Sequence, residues 1–265
     1  MTSVLAGERH TFRLAFELAK RAVFARYRES LLGPLWAVIT PLVLLAIYSF
    51  VFAAVFQTRW DVPGLESVNF GLLLYSGLLI FGFFAEAING STGLIAGNAP
   101  LVKRTSVPLW LLPGIPTLAS VLTTLLGCIP FSVFYLYEQG VPPATALLIP
   151  AVLLPLFLLT VGLVLLLSSL SVYFRDFVPI TYLFTTFILF TSPIFYPESA
   201  VPESLEWVLR INPVAATLSA SKAVLFAGVM PEWSALAMQL MVAIVVLILG
   251  AGVFRKLSRG FADVI

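Results

Sequence analysis

The chain has 265 residues, of which 60% are hydrophobic and only 11% charged, with a net charge of +2 and a mean hydropathy of +1.04. Soluble domains carry roughly 25% charged residues, and a globule of this length still needs a polar coat, so the composition argues against a soluble enzyme and reads as an integral membrane protein. So small a net charge gives nucleic acid nothing to bind.

The residue inventory removes several chemistries. His10 is the only histidine, Cys128 the only cysteine, and Asp61, Asp176 and Asp263 stand far apart, which leaves no zinc motif, disulfide framework or paired aspartate metal site. None of Lys20, Lys103, Lys222 and Lys256 follows a glycine, and no GxSxG is present. A phosphate-gripping loop and a serine-hydrolase elbow are therefore missing. No cofactor, metal or catalytic residue is expected on this chain.

In chain order, the first element is a helix over 8–30 that is not a signal peptide, because charges interrupt it throughout. Phe12, Phe16, Ala19, Val23 and Tyr27 fall at steps of three and four, while Arg13, Glu17, Lys20, Arg21 and Arg28 occupy much of the rest. That pattern fits a helix lying against membrane lipids with its apolar side down and basic groups toward phosphates, or a plain basic lead-in to the first span. Six stretches then reach the roughly 20 residues a crossing needs, near 35–56, 68–90, 107–137, 144–172, 177–195 and 233–254. Pro113, Pro116, Pro130 and Pro155 predict kinks, tilt or broken ends in the third and fourth. Twelve of the fifteen Lys and Arg fall on the side shared with the N-terminus, against Arg59, Arg210 and Lys222 on the other. The positive-inside rule then puts both termini in the cytoplasm. Between the fifth and sixth spans, 196–232 predicts two short helices on the outer face. Pro202 starts the first, Asn212-Pro213 starts the second, and Gly228 stops it. The fold class is all-α, one transmembrane domain over 1–265.

Five landmarks in register resemble one family. Arg26-Tyr27-Arg28-Glu29-Ser30-Leu31-Leu32-Gly33-Pro34-Leu35-Trp36 is similar to the approach to the first span of ABC-2-type permeases that export bacterial polysaccharides. Asn98-Ala99-Pro100-Leu101-Val102-Lys103-Arg104, closing at Pro108, resembles their cytoplasmic segment after the second span. Tyr173-Phe174-Arg175-Asp176 resembles their turn between the fourth and fifth. Ser192-Pro193-Ile194-Phe195-Tyr196-Pro197 with Asn212-Pro213 resembles their outer region, and Phe261-Ala262-Asp263-Val264-Ile265 their tail. Val107 and Leu109 around Pro108 depart from the aromatic and arginine common in relatives. The resemblance implies a half-transporter of the bacterial inner membrane. Two copies would form a homodimeric pore above two copies of a separate ABC ATPase, which would hold ATP and Mg. The cargo would be a lipid-linked polysaccharide such as an O-antigen, teichoic acid or capsule-like chain.

Site expectations follow. Asn98, Leu101, Lys103, Arg104 and Pro108 are candidates for ATPase coupling, against a mere positive-inside role for the two charges. Arg175 and Asp176 are either further coupling residues or a structural staple between adjoining spans. Arg21, Arg26, Tyr27 and Arg28 mark the interface helix. Tyr48, Phe52, Phe184, Phe187 and Phe190 are candidate channel walls, where sugar C–H faces would stack, against ordinary lipid-facing packing. Glu86, the only acid in a span, is expected to line the pore mouth, pair with a base such as Arg28, or reach the interface. Tyr196, Trp207, Asn212 and Pro213 are candidate outer-gate residues, against interface anchoring. The rival functions are an ABC-2 permease for drugs or simple lipids, an intramembrane transferase, and an ion-coupled carrier. The transferase lacks the clustered acids or activated nucleophile it would need.

Overall fold

The structure is a computed structural model and describes residues 2–25, 31–51, 65, 68–104 and 108–265. Arg26, Tyr27, Arg28 and Phe52 lie outside the described residues, as do the side chains of Leu101 and Arg104.

Twelve α-helices form the described chain: α1 (Thr2–Ala25), α2 (Trp36–Tyr48), α3 (Phe70–Ser91), α4 (Leu94–Gly97), α5 (Ala99–Arg104), α6 (Leu111–Glu138), α7 (Ile149–Tyr173), α8 (Phe177–Thr191), α9 (Glu206–Ile211), α10 (Ala215–Lys222), α11 (Trp233–Leu257) and α12 (Phe261–Val264). Four stretches are long and apolar enough to cross a membrane: Phe70–Ser91, Leu111–Glu138, Ala144–Tyr173 and Trp233–Gly260. They match the second, third, fourth and sixth expected spans. Apolar helix Ile39–Val51 accounts for the described part of the first. The fifth, α8, has 15 residues, about 22 Å of helix against roughly 30 Å of hydrocarbon. Pro193 ends it early, because proline cannot donate the next backbone bond. α6 runs unbroken through Pro116 and Pro130, and α7 through Pro155.

The core sits on α3, whose Leu72, Leu73, Leu74, Phe84, Ala87 and Ile88 are at most 1% exposed. Around it pack Leu156 and Val164 of α7, Ile188 of α8, Ile194, Val214 and Leu218. The strand of small residues in α7 and α11 lets those two spans touch backbone to backbone. A Cβ on Gly162 would lie 2.7 Å from the Leu247 nitrogen, and one on Gly250 would overlap the Gly162 carbonyl. Small residues at a crossing let dispersion act between apolar helices when water cannot drive them together.

The buried face of α1 is Ala15, Ala19 and Val23, of which Ala19 and Val23 seat against Ala119 of α6 with Leu118 and Leu122 beside them. Ala19 and Val23 belong to the apolar stripe expected from sequence, whereas Phe16 remains exposed and Ala15 is buried. In the short helices before α11, Val214, Leu218 and Val224 are fully buried, so α10 turns its apolar side into the bundle while α9 stands out, with Trp207 58% exposed.

Candidate functional site

At one end of the bundle, α3 turns through Gly93, whose φ of +73° suits a residue without Cβ. The chain then forms an elbow of α4 and α5. Asn98 donates from Nδ2 to the Leu94 carbonyl at 2.8 Å, closing the first short helix. The Gly93 N–H donates to Ser171 Oγ of α7 at 3.2 Å. Lys103 and Pro108 are exposed, so the elbow offers a cation and a rigid corner to whatever lies beneath it. Ile95 points the other way, 1% exposed, into a cluster with Leu112, Val172, Phe254 and Phe261.

Arg175 and Asp176 occupy the turn at this same end, both exposed. Asp176 precedes α8 without a side-chain cap bond, and among the described residues no ion pair joins it to Arg175. The staple expected from sequence is therefore not made by these side chains. Both project outward beside the elbow. Arg21 is exposed on α1.

Along the spans, Glu86 is half-buried and accepts a hydrogen bond from Thr123 Oγ1 of α6 at 3.3 Å. Tyr48 packs partly into the core. Phe184, Phe187 and Phe190 form an exposed face of α8 at 38%, 57% and 64%. An apolar cavity of about 280 Å³ runs beneath the first two, bounded by Leu159 and Leu163 of α7 and by Ile211 of α9. The border between α3 and α8 is polar. Asn89 Nδ2 donates to Thr185 Oγ1 at 3.1 Å, and Thr92 Oγ1 lies 3.4 Å from Thr181 Oγ1. Each α8 hydroxyl also donates to its own helix, Thr181 to the Val178 carbonyl at 2.9 Å and Thr185 to that of Tyr182 at 3.1 Å.

The far end of α8 explains the gate candidates. A helix leaves its last carbonyls without intrahelical donors, and here side chains from later in the sequence reach them. Tyr196 donates to the Phe190 carbonyl at 2.9 Å. Asn212, 6% exposed, points Nδ2 at Thr191 Oγ1 (3.1 Å), Ser192 Oγ (3.0 Å) and the Ile188 carbonyl (3.4 Å). Its Oδ1 accepts from the Val214 N–H at 2.9 Å, which sets up α10. Lys222 donates to the Pro193 carbonyl. Burial, opposed by nearby Glu198, lowers its ammonium to about pKa 7. Pro213 anchors the other side, its carbonyl accepting from Gln239 Nε2 of α11 at 2.7 Å.

The elbow residues and the candidates Tyr196, Asn212 and Pro213 fall at opposite ends of α8. Sequence reasoning missed the α3–α8 border and the part Ile95, Phe254 and Phe261 play under the elbow. The readable signals were Thr181 and Thr185 one turn apart, and a lone phenylalanine after Gly260.

An elbow after a membrane helix and an all-helical body with four stretches, among the described residues, long and apolar enough to cross a membrane define a multi-pass membrane protein. The family description "ABC-2 type transporter" matches residues 13–226, and the chain belongs to that family. It is 26% identical over 261 residues, 97% of this chain and 96% of the relative, to an O-antigen export system permease protein of Klebsiella pneumoniae. A second protein of that name from the same species gives the same figures. One from Myxococcus xanthus is 25% identical over 262 residues, 98% of both chains.

Proposed function

We propose that this chain is the transmembrane subunit of an ATP-driven exporter that carries a lipid-linked polysaccharide of the O-antigen type outward across the bacterial inner membrane. The observation that carries this is end-to-end similarity to three O-antigen export permeases, covering 97–98% of the chain. The architecture is compatible: an exposed elbow bearing Lys103, and an aromatic face on α8 suited to the C–H faces of sugars. In this reading six spans cross the membrane, α8 and α2 among them. Both termini and the elbow are cytoplasmic, on the Lys- and Arg-rich side. Two copies form the pore, and two copies of a separate ABC ATPase bind under the elbow, holding the ATP and Mg that this chain does not. Lys103, Arg104, Arg175 and Asp176 face that partner. Phe184, Phe187 and Phe190 line the path, and Trp207 on α9 stands at its outer mouth.

Deleting the gene and locating the glycan is the test. The expected result is lipid-linked glycan accumulating inside and a bare cell surface. Both should be reversed by the wild-type gene but not when the companion ATPase is inactive. An unchanged surface glycan overturns the polysaccharide assignment and leaves a drug or simple-lipid permease.

A further inference from the structure

Phe261–Val264 form a one-turn helix, α12, after α11. Phe261 is 0% exposed. Its ring meets Phe254 of α11 at 5.8 Å in an edge-on arrangement and Tyr173 of α7 at 6.2 Å. Tyr173 donates its hydroxyl to the Leu257 carbonyl at 2.9 Å, which fixes the end of α7 to the end of α11. Gly260 makes room for this, since a Cβ there would lie 2.8 Å from the tyrosine oxygen. Ile95 of the elbow and Leu112 of α6 complete the cluster.

Phe261 thus sits where the elbow, α6, α7 and α11 converge. Besides its chain connections to α3 and toward α6, the elbow has, among the described residues, a polar tie to α7 in the Gly93–Ser171 bond. Its packing tie is Ile95, with Leu94 beside it, in the Phe261 cluster. A close-packed aromatic cluster passes displacement on, because interiors of this density are stiff.

We propose that Phe261 is a positioning residue of transport: a wedge through which movement of the α4–α5 elbow is delivered to α7 and α11. The proposal rests on the reading of the elbow as the ATPase contact. Removing the ring leaves Ile95 with Leu112 and Val172 but opens the cluster where α11 and α12 join it, so an ATPase working beneath the elbow delivers less of its movement to α7 and α11.

The test uses the full chain co-expressed with its ATPase in membranes, comparing wild type, Phe261→Ala and Phe261→Leu in a Cys128→Ser background. Trp207→Cys provides an exposed thiol at the opposite end of the bundle. Three quantities are read: recovery of the ATPase with the chain, ATP hydrolysis by the complex, and the change in thiol labelling at 207 when ATP and vanadate are added. Phe261→Ala is expected to keep recovery and hydrolysis within about twofold while losing the labelling change about tenfold, the span of ordinary coupling between sites. Phe261→Leu, which refills most of the volume, restores it. A labelling change in Phe261→Ala equal to wild type overturns the proposal. So does a loss that only tracks falling recovery of the complex, since that is a folding defect, and so does no change with nucleotide in wild type. None of these readouts involves glycan, so failure of the polysaccharide assignment appears separately in the surface-glycan assay.

Discussion

Replacing Gly162 by alanine tests whether α7 and α11 are held by backbone contact. The added Cβ would lie 2.7 Å from the Leu247 nitrogen and 2.8 Å from both the Leu247 Cα and the Val246 carbonyl carbon. Carbon pairs attract at about 3.5–4.0 Å, so the helices must part by roughly 0.7 Å, and the atoms in the way are backbone that no rotamer change can clear. A gap of that size forfeits a quarter to a half of each contact's well of about 0.1–0.2 kcal/mol. Spread over the 40–60 contacts a leucine-sized patch makes, the loss is about 2–3 kcal/mol. At roughly 2–4 °C per kcal/mol for a chain of this size, unfolding in detergent should move down by about 4–12 °C. Gly252, on the same helix α11, has nothing within 4 Å of its Cβ position, so Gly252→Ala is the matched control and should cost nothing. Size-exclusion chromatography after graded heating reads both. Equal midpoints for the two variants would refute the backbone-contact argument.

Asn212→Asp keeps the shape of the side chain but turns its donor into an acceptor facing the Ile188 carbonyl. Buried polar groups left unmatched cost about 1–3 kcal/mol, so trypsin cleavage at the neighbouring Arg210 should accelerate; unchanged cleavage would remove the cap from the account of this end. Lys222 gives a pH dependence. Its folded pKa of about 7 lies below its ordinary value of 10.5 because burial disfavours the ammonium. Between these two values the unfolded chain binds more protons than the folded one, so stability rises with pH across that window and is lost as pH falls toward 7. The full span is up to about 5 kcal/mol. Thermal midpoints at pH 7.0 and 9.5 should differ in wild type and converge in Lys222→Met; the same slope in both would assign the dependence elsewhere.

How far the sequence could be read depended on the range over which each feature acts. The second, third, fourth and sixth spans were legible to within a few residues, because continuous apolar runs of sufficient length leave no other low-energy option in lipid. The fifth was legible to a similar degree, 177–195 against Phe177–Thr191; its far end lies at Pro193, and the donors from Tyr196 and Asn212 that reach that end show in no local periodicity. The face of α1 was legible in part. Ala19 and Val23 of the expected stripe are buried, whereas the burial of Ala15 and the exposure of Phe16 show in no hydropathy stripe. Gly162 and Gly250 belong to no GxxxG repeat in either helix, and their pairing exists only across α7 and α11. Glu86 was recognised as unusual, and its Thr123 partner 37 positions away could not be picked from the many hydroxyls of α6. Arg175 and Asp176 stand exposed in the turn before α8, and Asp176 makes no side-chain cap bond there.

The two ends of α8 are fastened on different terms. Where Asn212 and Tyr196 reach its last turn and Lys222 reaches the Pro193 carbonyl just beyond it, the donors come from the segment that follows α8. Separation there would strand polar groups in an apolar medium, and that end is a weld. Along α3 the arrangement is closer to a zip fastener. Thr181 and Thr185 each hold a second acceptor on their own helix, and Thr92 holds one in the Asn89 carbonyl at 3.3 Å. When this border opens, three hydroxyls fall back on bonds they already own, and only the Asn89 amide has to find a new partner. Interhelical bonds of this type are worth about 0.6 kcal/mol each, so the polar part of this border adds little to its hold, and the packing of Ile188 and Phe184 against α3 carries the rest.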